Sequence, residues 1–239
     1  MGAGATSGIR LRRGLLAAAV AGAIVALGGG ATWLLSSHHA PAHLGLSTPS
    51  PGSSQSALVG TWKVSTGSEA GYRVKEKFIN QPATTEAVAR TAKVAGGFVV
   101  VLSGSRLVVS QIHFTVDLTT LVSQDRYATY QVYQRDFFVR TVYLETNRFP
   151  TADFTAASIP VPTPASGAIS MGVNGKLNVH GVTKAVLANL QAQLTGDQVE
   201  LAGSINVDMR DFAIAPPDIS FTTAEPQVII EFHLFLIKY

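Results

Sequence analysis

LNVHGVTKAVLANL, residues 177–190, sets one histidine beside a glycine between two alternating apolar runs. A histidine so placed is either a catalytic side chain on a loop or the corner of a hairpin. The flanks favour the corner. Ile169–Val179 and Lys184–Leu194 alternate apolar with polar or small residues, the period-two signature of half-buried strands. They join across His180-Gly181-Val182-Thr183, where Gly181 takes a positive φ at low cost and Thr183 and Lys184 suit the exposed exit from a turn. His180 then marks a hairpin, with no partner visible in the sequence.

The same period extends along the chain. Val199, Leu201, Gly203, Ile205, Val207 and Met209 alternate with polar or small residues. Val228, Ile230, Phe232, Leu234 and Leu236 do so on a strand that is apolar on much of its second face as well. Thr61–Ser65, Gly71–Phe78, Val88–Val94, Phe98–Leu102, Arg106–Asp117 and Asp153–Ile159 read as further strands. Ser123 to Val139 breaks the period. It lacks Gly and Pro, and Tyr127, Tyr130, Tyr133, Phe137 and Phe138 recur at helical offsets, with Ser123 as the expected N-cap and Asp125 in the first turn. The expectation is an all-β domain over residues 58–239, an antiparallel β-barrel with one aromatic-rich helix. Closure removes exposed edges, and an open sandwich is the alternative.

The chain has 239 residues, no cysteine and a formal net charge of +3. No disulfide framework, thiolate nucleophile or zinc–sulfur site can therefore form. Arg10, Arg12 and Arg13 are the only charged residues before Lys63, and beyond them acidic and basic residues balance. The domain carries no basic footprint for nucleic acid.

Residues 14–35 (GLLAAAVAGAIVALGGGATWLL) are uncharged and long enough, at 1.5 Å per residue, to cross a hydrocarbon core of about 30 Å. A basic arm, residues 1–13, precedes them and Trp33 lies near their far end. The pattern predicts a single-pass transmembrane helix in the cell membrane, with a cytoplasmic N-terminus and an extracytoplasmic C-terminal domain. A cleaved signal peptide is the competing reading. Ala18, Gly22, Ala26 and Gly30 form a small-residue row of the kind that lets membrane helices approach, so a homodimer through this helix or through the barrel is a further expectation. Residues 36–57 are rich in Ser, Pro, Gly and Ala and read as a flexible linker. Its His38, His39 and His43 lack the carboxylate or thiolate company of a selective metal site.

Catalytic signatures do not surface. There is no G-x-S-x-G elbow, no H-E-x-x-H and no phosphate-cradling glycine loop followed by Lys. His113 and His233 fall out of phase with the apolar residues of their strands and should face outward. A barrel of about eight strands has a lumen that side chains can fill or that can hold one ligand. The Val, Ile, Leu, Met and Gly of the later strands suit an apolar tail and suit a solid core equally well.

The order of motifs resembles the YceI-like family of lipid- or polyisoprenoid-binding, lipocalin-like barrels. The residues that carry the resemblance are Gly71-Tyr72-Arg73-Val74-Lys75-Glu76, Arg135-Asp136-Phe137-Phe138, Pro150 with Asp153-Phe154, Gly175 to Lys184, and Asp208-Met209-Arg210-Asp211-Phe212-Ala213-Ile214. Many relatives carry a histidine where this chain has Glu76, and Leu144 to Phe149 lengthens the link before Pro150. The resemblance implies a long isoprenoid-like or acyl ligand in the lumen, no catalytic cofactor and no enzymatic activity. A filled barrel serving as a structural or interaction module of the cell envelope is the alternative.

Alternation and resemblance together nominate the lumen candidates Tyr72, Val74, Phe114, Phe137, Phe138, Phe154, Leu177, Val179, Ile205, Val207, Phe212, Ile230 and Phe232. Phe137 and Phe138 read either as cavity wall or as anchors packing a helix onto the barrel, with Arg135 and Asp136 solvated or capping. Phe212 is expected to bury while Arg210 and Asp211 close a turn. His180 would stand at the rim, where a lipid head group is its remaining contact.

Overall fold

The computed structural model describes residues 39–48, 58–79, 83–126, 132–162, 167–219 and 221–239. The basic arm, the predicted membrane span, His38, Tyr127, Tyr130 and the side chain of Tyr133 lie outside the described residues. No helix among the described residues is long and apolar enough to cross a membrane.

Alternation becomes a closed sheet. The strands are β1 (Gly60–Val64), β2 (Glu69–Phe78), β3 (Thr85–Thr91), β4 (Val94–Ser103), β5 (Arg106–Asp117), β6 (Val122–Ser123), β7 (Thr151–Ala156), β8 (Ile159–Pro160), β9 (Ile169–Val179), β10 (Val182–Thr195), β11 (Gln198–Asp208), β12 (Asp218–Ile219) and β13 (Thr222–Lys238). β1 and β2 are two halves of one bent stave, and β3 with β4 forms the next. Trp62 lies opposite Phe98, and past the bend Ala70 lies opposite Thr91. β13 spans both halves of the first stave, with Lys238 opposite Trp62 and Phe232 opposite Ala70. Taking each bent pair as one stave, the order runs β1/β2, β3/β4, β5, β7, β9, β10, β11, β13 and back to β1. This is an eight-stranded antiparallel barrel whose neighbours in sequence are neighbours in space. β8 extends the wall beside β5, β6 beside β3 and β12 beside β13.

Two local features allow the curvature. At Gly97 the Trp62 carbonyl lies 1.9 Å from where a Cβ would stand, so the staves approach as only glycine permits; the ladder slips between Gly97 and Val99. In β13 the register shifts between Ala224 and Val228, a gap that contains Pro226, which has no N–H to give a ladder.

The opening hairpin forms with a tighter corner than expected. Val179 pairs with Val182, leaving His180 (φ 53°) and Gly181 (φ 74°) as a two-residue turn with both φ positive, the handedness that matches strand twist.

The aromatic segment is described as a helix from Val132 onward. It runs α1, Val132–Phe138, and continues as a wider π turn, Val139–Tyr143. Ser123 does not cap it: it lies in β6, opposite Ala89. Asp125 is 1% exposed and accepts the Val88 N–H at 3.0 Å instead of opening the helix. A strand-edge amide buried without a partner costs more than a missing cap, so the carboxylate goes to the sheet.

Residues 39–48 are not a free tether either. They cross the outside of the barrel as a strap. Arg73 donates to the Pro41 carbonyl (2.9 Å), Arg90 to that of Ala42 (2.6 Å), and the Ser47 N–H donates to Glu200 (2.7 Å). His43 stands 3.5 Å from Glu231, and His39 bridges to Arg126. Low apolar content does not loosen this stretch, because buried charges on the wall supply the partners its backbone needs.

Candidate functional site

Inward faces of the staves enclose two apolar chambers. The larger, of about 480 Å³, is walled by Phe114, Phe154, Leu177, Ile205, Ile230 and Phe232 among the expected residues, and by Phe98, Val100, Ile112, Met171, Leu190 and Leu234 among those not singled out. The smaller, of about 170 Å³, has Tyr72, Val74, Val179, Val207, Phe212 and again Ile230 in its wall, joined by Leu118, Leu121, Tyr143 and Leu144. Ala70, Val116, Ala152 and Ile230 border both, so the chambers adjoin along one lumen. The larger falls within the range of ligand pockets, roughly 300–1,000 Å³. Glycine helps shape it. Gly175 has the Phe154 ring 2.4 Å from where its Cβ would be, so the aromatic lies over a bare backbone.

Phe137 and Phe138 line neither chamber. Phe137 is 57% exposed and meets Phe138 edge-on at 5.7 Å between centroids. The cavity-wall reading of this pair is therefore corrected: the inward grip of α1 comes from the charged residues just before them. Asp136 is buried and takes the Ser123 N–H (3.0 Å), and Arg135 reaches Glu76 (3.2 Å), Ser123 Oγ (2.8 Å) and Asp125. Neither residue is solvated or capping. Burial works against the Arg135 charge, but Asp125 and Glu76 outweigh it and hold the guanidinium protonated more firmly than usual. The Tyr72 phenol is pushed well above its ordinary value, first by burial, with Arg135 opposing and Asp136, Asp125 and Glu76 adding to the rise.

His180 has the partners that the sequence did not display. Its Nδ1 lies 3.2 Å from the Phe212 carbonyl and its Nε2 2.9 Å from Glu145, and Phe149 packs edge-on at 4.6 Å. Both ring nitrogens are engaged, which leaves neither for a reacting group. The pairing ties the hairpin corner to the 3-10 turn Met209–Phe212 and to the link before Pro150. Phe212 in that turn is 2% exposed, as expected, although Arg210 closes the turn on Asp208 rather than pairing with Asp211. His113 is exposed, 3.5 Å from Asp153, as its phase predicts. His233 also points outward, yet it is largely covered and bonds Glu200 at 2.6 Å beneath the strap.

A YceI-like domain profile matches residues 62–236, almost the whole barrel. The chain belongs to the YceI-like family. Two solved structures are similar to this YceI-like barrel. One is a polyisoprenoid binding domain from Saccharophagus degradans implicated in plant cell wall breakdown, 14% identical over 74% of this chain and 98% of that one, with a TM-score of 0.52. The other is BcnA of Burkholderia cenocepacia, 17% identical over 70% of this chain and 95% of that one, with a TM-score of 0.47. No curated protein matches the chain.

Proposed function

We propose that this YceI-like protein binds a long apolar chain, isoprenoid-like or acyl, and holds it in the barrel lumen away from water. The observation that carries the reading is the pair of adjoining apolar chambers, about 480 and 170 Å³, along the barrel interior. A filled structural barrel would leave no such volume. Each methylene moved from water into this lining contributes about 0.8 kcal/mol. Membership of the family and the likeness to a polyisoprenoid binding domain support the same ligand class. The uncharged residues 14–35 would anchor the chain in the cell membrane, with the barrel outside the cytoplasm and close to the lipid it takes up.

Native mass spectrometry of the full chain, extracted from membranes in mild detergent, tests the reading. The expected result is a discrete lipid adduct that organic extraction releases. A protein that carries no lipid and takes up none from vesicles of mixed bacterial lipids would overturn it.

A further inference from the structure

Exposed apolar side chains gather along one side of the barrel end that carries α1. We infer that this side is a docking face for the lipid bilayer, so that the protein sits on the membrane with the end holding the small chamber toward it. The inference depends on the reading of residues 14–35 as a membrane anchor and adds which part of the barrel meets that membrane.

Five large apolar residues form the face. Ile219 in β12, Val122 in β6, Phe137 in α1 and Val142 in the π turn are exposed, and Ile79, just past β2, is 73% exposed. Sheet order makes them neighbours. β12 pairs with β13, and from there the wall runs β13, β2, β3, β6. α1 is fastened beside β6, where Asp136 takes the Ser123 N–H and Arg140 donates to the Leu121 carbonyl at 2.7 Å. None of the five lines either chamber. The π turn and the stretch before β12 nevertheless border the small chamber through Val139, Tyr143, Leu144 and Pro217. Single exposed apolar residues are ordinary on a protein surface, whereas a run of them on adjoining elements marks a surface with a partner.

The strap points to that partner. As a free linker, residues 36–57 would extend about 75 Å and could turn any side of the barrel to the membrane. The chain is instead pinned from His39 onward. His39 exchanges backbone N–H and carbonyl bonds with Arg126, and the carbonyls of Pro41 and Ala42 are held by Arg73 and Arg90. Only residues 36–38 then separate the span from the wall, a reach of about 14 Å.

The tether joins in the middle of the apolar run. β6 is antiparallel to β3, so the chain from Ser123 to Arg126 advances toward Thr85, which lies opposite Glu76, two residues from the end of β2. Val59, Val101, Leu102, Ile237 and Tyr239 are also exposed, but at the opposite end. Val88, which Gln124 and Asp125 bond, aligns through Arg73 with Ile229 on β13. From Ile229 to Ile237 is about 26 Å along the strand, beyond the tether's reach. Docking at the near end takes the five side chains out of water, which the hydrophobic effect favours.

The chain has no cysteine, so single labels can be placed without background. Ile79→Cys, Phe137→Cys and Val142→Cys, with Leu102→Cys for the opposite end, are each coupled to a nitroxide. The full chain is then reconstituted into vesicles of phosphatidylethanolamine and phosphatidylglycerol. Electron paramagnetic resonance compares collisions with oxygen, which concentrates in the bilayer, and with a water-soluble nickel chelate. The ratio of oxygen to nickel collisions should be several-fold higher for the first three labels than for the label at Leu102. Equal ratios at all four positions, or the higher ratio at Leu102, would overturn the inference. So would shielding of the first three labels from both reagents, which would mean that a second copy of the chain covers the face. A chain that alkaline carbonate strips from the vesicles would remove the anchor and the inference with it. None of these results changes whether a lipid adduct is seen by native mass spectrometry, so docking and lipid binding fail separately.

Discussion

Glu200 shows how one side chain ties the strap to the wall. Its carboxylate is 2% exposed, and burial alone would raise its pKa; the Ser47 N–H, Gln193 and His233 outweigh that and lower it to about 2. A group whose folded pKa is depressed contributes stability that is complete above the unfolded value, ordinarily about 4.3, and is lost as pH falls through the folded one. The melting temperature should therefore drop between about pH 4.3 and pH 2. Glu200→Gln should flatten that slope, since it removes the titrating group; wild-type and variant curves that run parallel would mean that Glu200 is not its source. His180 carries the contrasting lesson. The sequence marks it as a corner, and the positive φ of His180 and Gly181 bears that out. Its bonds to Glu145 and Phe212 join positions 35 and 32 residues away in sequence, which no local pattern reports.

Among the elements, strands were legible wherever one face is apolar and the other polar. β9, β10, β11 and β13 begin and end within a few residues of their alternating runs, except that β13 starts six residues earlier than its apolar run. β4 was harder, because VAGGFVVVLS is apolar on both faces and its phase is unreadable. Phe98 and Val100 escaped nomination for that reason. The helix was misjudged at its start, since helical spacing of aromatics says nothing of competing strand partners for Ser123 and Asp125. Tyr143 was missed with it, because the π turn carries the chain beyond the last patterned residue. Glycines set the joints between elements. Gly97→Ala should cost about 1–3 kcal/mol, as an added methyl must push the Trp62 carbonyl aside. Gly104→Ala, at an open hairpin tip with φ +61° and nothing within 4 Å, should cost nearer 1 kcal/mol. Chemical denaturation of the two variants would measure the difference, and equal midpoints would count against close approach at Gly97.

At the scale of the molecule, volume in the lumen separates a carrier from a packed barrel. Leu177 is 4% exposed and borders the larger chamber, while Ala192 lines the same wall with a small side chain. Leu177→Trp and Ala192→Phe should each cut lipid uptake by tenfold or more, with far-UV circular dichroism unchanged. Two correctly folded variants with undiminished uptake would place the ligand elsewhere. Period-two alternation, turn residues and the order of motifs were enough to determine an antiparallel barrel of this family, because each is written in neighbouring residues. Three features awaited the tertiary structure: which faces enclose empty space, the cluster of Glu76, Asp125, Asp136 and Arg135, and the course of residues 39–48 across the wall. A cavity is the part of the interior that side chains leave unfilled, and a buried charge is tolerated only where distant partners converge on it. Both depend on closure of the barrel, which brings β1 against β13 from opposite ends of the domain.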